Sequence, residues 1–263
     1  MSSPAVIYSL TENIAAIEMD RPESLNSLSS ELVSGLTAAI GSAVRDGARA
    51  AILTGRRRAF SSGGDIREMA SILTSESDVA LESRVEEPLS ALHGLITAIR
   101  DAPMPFVAAV NGVCAGAGVN LALACDLVIA AEDAVFSERF AQLGLSPDCG
   151  GTFFLPRLAG EKLAAEILMA GAEIGAARAA ELGLINRAVE KGSLIEEART
   201  LAARIAAMPP AVISRIKRLI AASATNDLHS QLALEYGCQI ESASSPEFRE
   251  GVAAFLEKRA PRY

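Results

Sequence analysis

Apolar and polar positions change period several times along the chain, and each change marks an element. Residues 6–10 and 14–19 are short β-like runs around "TEN", a hairpin signal. After the polar loop "DRPESLNSL" (20–28), Leu32, Val33, Leu36, Ile40 and Val44 fall at helical spacing. Ser29 or Ser30 is the expected N-cap and Gly47 the stop. Residues 50–53 and 106–110 are short and uniformly apolar, which predicts buried strands. Each runs into a glycine-rich exit, "FSSGGDI" (60–66) and "NGVCAGAG" (111–118), and each exit precedes a helical stretch, 66–73 and 119–124. Residues 82–100 read as another helix, Pro103 and Pro105 as punctuation, and 127–130 as a further strand. Strand, glycine turn, helix, strand predicts an α/β fold on a parallel sheet.

The last third changes character. Residues 161–170, 176–182, 193–207, 211–222, 227–243 and 246–257 all read as helices, broken at "MPP" (208–210). With no low-complexity linker between, the expected division is a core over residues 1–200 and a helical region over 201–263. That region would pack on the core or on neighbouring subunits.

Charge narrows the partners. A formal net charge of −8 argues against a nucleic-acid face, which needs clustered Lys and Arg. Four cysteines without CxxC spacing suggest free thiols in a reducing cytoplasm. The start, "MSSPAVIYSL", does not read as a signal peptide, and no apolar run is long enough to span a membrane.

The two glycine turns pose the chemical question. Each ends a buried strand and opens a helix, so free backbone N–H groups point into the crevice beyond the strand. They are either ordinary strand-to-helix turns or two donors converging on one oxygen. Their spacing fits neither a dinucleotide fingerprint nor a P-loop.

The ordered set "RPESLNSL", "AAILTGRRRAFSSGGDI", "PFVAAVNGVCAGAGVNLALACDLVIAAEDAVFS", "LGLSPDCGGTFFLPRLAG", "AAELGLINRAV" and "EGVAAFLEKR" resembles the crotonase superfamily, also called the enoyl-CoA hydratase/isomerase family. The resemblance spans essentially the whole chain. It implies a spiral of ββα units, a helical C-terminal trimerisation region and a homotrimer or hexamer. The implied partner is an acyl-CoA thioester whose carbonyl oxygen sits between the backbone N–H groups of Gly64 and Ala117, with Gly116 beside them. No cofactor or metal is implied beyond the coenzyme A of the substrate. By the same matching, Ser24, Leu25, Ser62, Asp65 and Ile66 belong to loops that touch coenzyme A. Phe255 and Lys258 belong to a C-terminal helix that does so, often from a neighbouring subunit.

The carboxylates suggest which reaction. The resemblance implies that hydratases carry two glutamates that activate water; the matching positions here are Asn120 and Phe140, and neither exchanges a proton. Asp148, in "LGLSPDCGG", resembles the acid that Δ3,Δ2-enoyl-CoA isomerases and epoxyphenylacetyl-CoA isomerases carry at this turn. A dehalogenase branch also uses an aspartate there, but this chain lacks the tryptophan expected with it. Read without the resemblance, Asp148 is a turn residue capping the next helix. Phe140 would form an apolar wall that raises the aspartate's basicity. Glu138 is a rival acid, expected to be solvated or paired beside Arg139. Arg56, Arg57 and Arg58 read as a solvated loop, Asn111 as support for its turn, and His93 and His229 as structural. Residues 69–84 and 86–95 are expected to set pocket depth.

Overall fold

The computed structural model describes residues 4–75 and 80–263; residues 76–79, within the segment expected to set pocket depth, lie outside the described residues. The chain opens with the hairpin β1 (Val6–Thr11) and β2 (Ile14–Met19), then α1 (Ser30–Arg45), whose N-cap Ser29 accepts the Leu32 N–H at 3.3 Å. Three strand pairs follow: β3 (Ala50–Gly55) with β4 (Ala59–Ser61), β5 (Phe106–Val110) with β6 (Val113–Ala115), and β7 (Leu127–Ala131) with β8 (Val135–Ser137). The helices α2 (Ile66–Thr74) and α3 (Leu81–Asp101) follow the first pair, and α4 (Ala117–Ala124) the second. After the third come α5 (Gly151–Ala159), α6 (Glu161–Ala170), β9 (Glu173–Gly175), α7 (Ala176–Glu181) and β10 (Arg187–Val189). The chain ends in α8 (Leu194–Ala206), α9 (Pro210–Ser223), α10 (Leu228–Ala243) and α11 (Pro246–Glu257).

The first strand of each pair enters one sheet and the second enters another. The larger sheet runs β1-β2-β3-β5-β7-β10, parallel except at the opening hairpin; the smaller runs β4-β6-β8-β9, with β9 antiparallel. This is the spiral of ββα units that the resemblance implies. Alternation along the central strands explains their uniform apolarity. Ala51, Leu53, Phe106 and Ala108 face the main core with α1, α3 and α4. Ala50, Ile52, Val107 and Ala109 face Leu194, Ala198 and Ala202 of α8 on the opposite side.

The structure adds to the sequence reading in three places. The short strands β4, β6, β8, β9 and β10 were not expected, because three residues are too few to show a period. The α4 helix starts at Ala117, which places that residue's N–H in the unpaired first turn. The boundary expected at residue 200 falls inside α8, which is bound along the sheet. Beyond it, α9 is tied to the core by the buried Lys217. Its ammonium pairs with Asp126 at 2.8 Å and donates to the Ile99 and Met104 carbonyls at 2.8 and 3.1 Å.

Candidate active site

Tertiary packing brings the two glycine turns together. A Cβ on Gly63 would stand 2.7 Å from the Ala115 carbonyl oxygen and 3.4 Å from the Ala117 nitrogen, so glycine is what allows this approach. Gly116, at φ 49° and ψ −126°, turns the chain into α4 in a conformation that other residues rarely adopt. Among the described residues, neither the Gly64 nor the Ala117 N–H has an acceptor. Two unpaired amides on adjoining turns are suited to stabilising an oxyanion.

The first turn is locked in place by fully used polar groups. Asp65 caps α2, its Oδ1 accepting the Arg67 and Glu68 N–H groups at 3.0 and 3.4 Å. Its Oδ2 accepts from Ser27 Oγ at 2.7 Å and Arg21 Nη1 at 3.1 Å. Burial alone would raise its pKa; the bonds from Ser27, Arg21 and the two amides outweigh that and lower it. The loop at 21–28 joins the same network. Ser62 donates its N–H to the Leu25 carbonyl and its hydroxyl to the Ser24 carbonyl, both at 3.0 Å. The buried Asn26 reaches the Ala59 carbonyl at 2.9 Å. Ser24, Leu25, Ser62 and Asp65 therefore lie together, whereas Ile66 is exposed.

The turn before α5 is built differently. Cys149 (φ 51°) and Gly150 (φ 84°) put two successive left-handed residues after Asp148, and Gly150 is the N-cap of α5 with no side-chain bond. The capping role open to Asp148 is thus not the one it plays. Its Oδ1 is buried with no hydrogen-bond partner among the described residues. Burial pushes its pKa up, against a hydrogen bond with Cys149, electrostatic attraction to His93 and a bond to its own backbone. Asn120 fastens the turn to α4, donating Nδ2 to the Asp148 carbonyl at 2.9 Å. The Phe140 ring is buried 3.7 Å from where a Gly116 Cβ would lie, setting hydrocarbon against the second glycine turn.

Several expectations change. Glu138 is neither solvated nor paired: it is 1 % exposed, and Arg139 bonds Glu173 instead. His93 lies exposed on α3, within electrostatic reach of Asp148; no spacing rule links the two, and only the packing of α3 on α4 does. His229 is exposed at the start of α10. Arg56 pairs with Asp20 at 3.1 Å, while Arg57 and Arg58 are exposed, as a solvated loop requires. Asn111 donates to the Arg57 carbonyl at 3.1 Å and supports its turn. Phe255 and Lys258 are exposed on α11 and its C-cap, outside the cluster formed by the turns. All four cysteines are buried free thiols. Among the described residues, no helix is long and apolar enough to cross a membrane.

Paired glycine turns with free amides, set on a two-sheet ββα spiral, define a crotonase-type protein. A family model described as enoyl-CoA hydratase/isomerase matches residues 9–263, and the chain belongs to that family. It is 43 % identical to a probable enoyl-CoA hydratase of Rhodobacter capsulatus, covering 100 % of this chain and 99 % of that one. It is 36 % identical to the 1,2-epoxyphenylacetyl-CoA isomerase of Escherichia coli, covering 98 % and 97 %. The crystal structure of an enoyl-CoA hydratase from Polaromonas superposes with a TM-score of 0.91 at 35 % identity, covering 98 % and 99 %.

Proposed function

We propose that the protein is an acyl-CoA isomerase that moves a double bond from the 3,4 to the 2,3 position of an enoyl thioester. One observation carries the reading. Fastened to α4, whose first residue carries one of the two free amides, is a half-buried acid, Asp148, with an oxygen unpartnered among the described residues. Asn120 and Phe140 occupy the positions where the resemblance implies a water-activating pair of carboxylates. Asp148 takes a proton from C2, and the electrons move onto the thioester oxygen between the Gly64 and Ala117 N–H groups. The same proton then returns at C4, so charge and atoms balance without a cofactor. Raised basicity of Asp148 suits the first step, and preorganised amides at about 2.7–3.1 Å suit the intermediate. Phe140 keeps water from the β-carbon.

The competing reading is hydration of a 2-enoyl-CoA, favoured by the name of the Rhodobacter relative. Assaying a 3-enoyl-CoA and a 2-enoyl-CoA with wild type and Asp148→Asn separates them. Dominant 3-enoyl conversion, lost in the variant, supports the double-bond shift; efficient water addition that survives in the variant overturns it.

In the same proposal the working form is a cytoplasmic homotrimer or a hexamer of two trimers. What supports it is the apolar surface left on α9–α11: Ile220, Leu228, Tyr236, Phe255 and Leu256 are each at least 65 % exposed. Phe255 and Lys258 would then meet coenzyme A across a subunit boundary, and a monomeric sedimentation profile would refute this.

A further inference from the structure

The Asp148 wall encloses a second acid. Neither carboxyl oxygen of Glu138 has a hydrogen-bond partner among the described residues. Of the six buried side-chain polar atoms without a partner there, four belong to Asn120, Glu138 and Asp148. Glu138 lines a small cavity of about 10 Å³ between the elements that position the site, walled by Val119 and Leu123 of α4, Leu155 of α5, Ile167 of α6 and Ile174 of β9. Among the described residues, no cation lines that cavity. Asp148 and Cys149 of the turn before α5 and Cys114 of β6 lie within electrostatic reach of it, and apart from Ser137 the residues that line the cavity with it are apolar. Arg139, its chain neighbour, is committed to Glu173.

A carboxyl in this position contributes no bond to the fold, and an aliphatic side chain of similar volume would pack more favourably. Burial first, and the Asp148 charge second, raise its pKa from 4.5 to about 8, so it keeps its proton at neutral pH. We propose that Glu138 is a positioning residue for Asp148: uncharged, it lets the wall between α4 and α5 stay closed and leaves Asp148 the single negative group beside the acyl chain. Ionised, it becomes a second buried anion with no donor to meet it. The cavity then opens to admit water, and α4 and α5, which carry the Ala117 amide and the Asp148 turn, lose their register. Glu138 faces the cavity and, in this proposal, acts through Asp148 rather than on the substrate. The inference rests on the acid/base role of Asp148 proposed above.

The experiment follows kcat and KM for a 3-enoyl-CoA, together with thermal unfolding, from pH 6 to pH 10 in wild type, Glu138→Gln and Glu138→Met. Wild-type kcat should fall about tenfold per pH unit above about pH 8, as expected for loss of one proton. Both variants should lose that limb and at pH 9 run about tenfold faster than wild type, with KM at pH 7 unchanged. Alkaline limbs that superimpose overturn the proposal. Thermal unfolding needs no turnover: wild-type Tm should fall as pH rises from 6 to 8 relative to the variants, and parallel curves overturn the proposal whatever the reaction is. Absence of 3-enoyl turnover in wild type would instead defeat the double-bond shift. If neither variant folds, infrared spectra of Asp148→Asn decide. A protonated-carboxyl stretch present at pH 7 and lost by pH 10 supports the assignment, and its absence at pH 7 rejects it.

Discussion

Asp65 and Asp148 each stand at a glycine turn that opens a helix, yet their surroundings could hardly differ more. Both oxygens of Asp65 are engaged, by four donors in all, and its pKa is lowered. Asp148 is fastened by its main chain while one carboxyl oxygen is left without a partner, and its pKa is raised. A satisfied carboxylate holds the scaffold; a buried acid with bonds to spare is available for proton transfer. The same contrast extends to their neighbours, since Asn26, Ser27 and Ser61 all have partners whereas Asn120 and Glu138 keep unpartnered oxygens.

The sharpest way to break this contrast is Asp148→Asn. It should lower kcat/KM for a 3-enoyl-CoA by roughly 10²–10⁴-fold, with the protein still folded by circular dichroism. A loss smaller than tenfold would remove Asp148 from the chemistry. Next is Gly63→Ala, which drives a methyl into the Ala115 carbonyl and separates the two amides. About 10²-fold should disappear from kcat, the effect of losing one oxyanion donor, while Asp148 stays intact. Unchanged kcat there would argue that the amides do not act together.

Stability should respond in the opposite order. Asp65→Ala leaves Arg21, Ser27 and the first turn of α2 without their acceptor and should cost about 3 kcal/mol in urea unfolding. An effect below about 1 kcal/mol would contradict the structural role.

The smallest effects are pH-dependent and differ in sign. Asp65 has a lowered folded pKa, so its contribution is present above its ordinary value of 3.8 and is lost as pH falls through the folded pKa. Asp65→Asn should therefore differ most from wild type at neutral pH and converge with it in acid. Asp148 has a raised folded pKa, so folding favours its protonated form, and stability declines as pH rises from 3.8 through the folded value. Asp148→Asn should remove that decline and leave the protein slightly more stable at pH 7. Equal pH slopes for the two variants would erase the distinction between the acids.

Much of this could be read without coordinates. Leu32, Val33, Leu36 and Ile40 mark α1 because four residues share a face at helical spacing. The apolar runs at 50–53 and 106–110 mark the buried strands because both their faces are covered. The two glycine turns stand out because small residues cluster where strands end. Glu138 was misjudged for an equally physical reason: beside an arginine in sequence, a glutamate ordinarily pairs with it, and only the fold reveals that Arg139 turns to Glu173. The electrostatic reach of His93 to Asp148 has no signal in the sequence, because it depends on one helix lying against another.

Local chemistry, then, was enough to determine which segments become strands and helices, where the chain must bend, and which acid stands at the third turn. Those properties depend on residues within a few positions of one another. Tertiary structure decided the approach of the two glycine turns, the satisfaction of Asp65, the burial of Asp148's unpartnered oxygen and the burial of Glu138. Each is a matter of what distant segments bring or withhold, and a hydrogen-bond partner or a low-dielectric wall comes into being only when the chain has closed around the group.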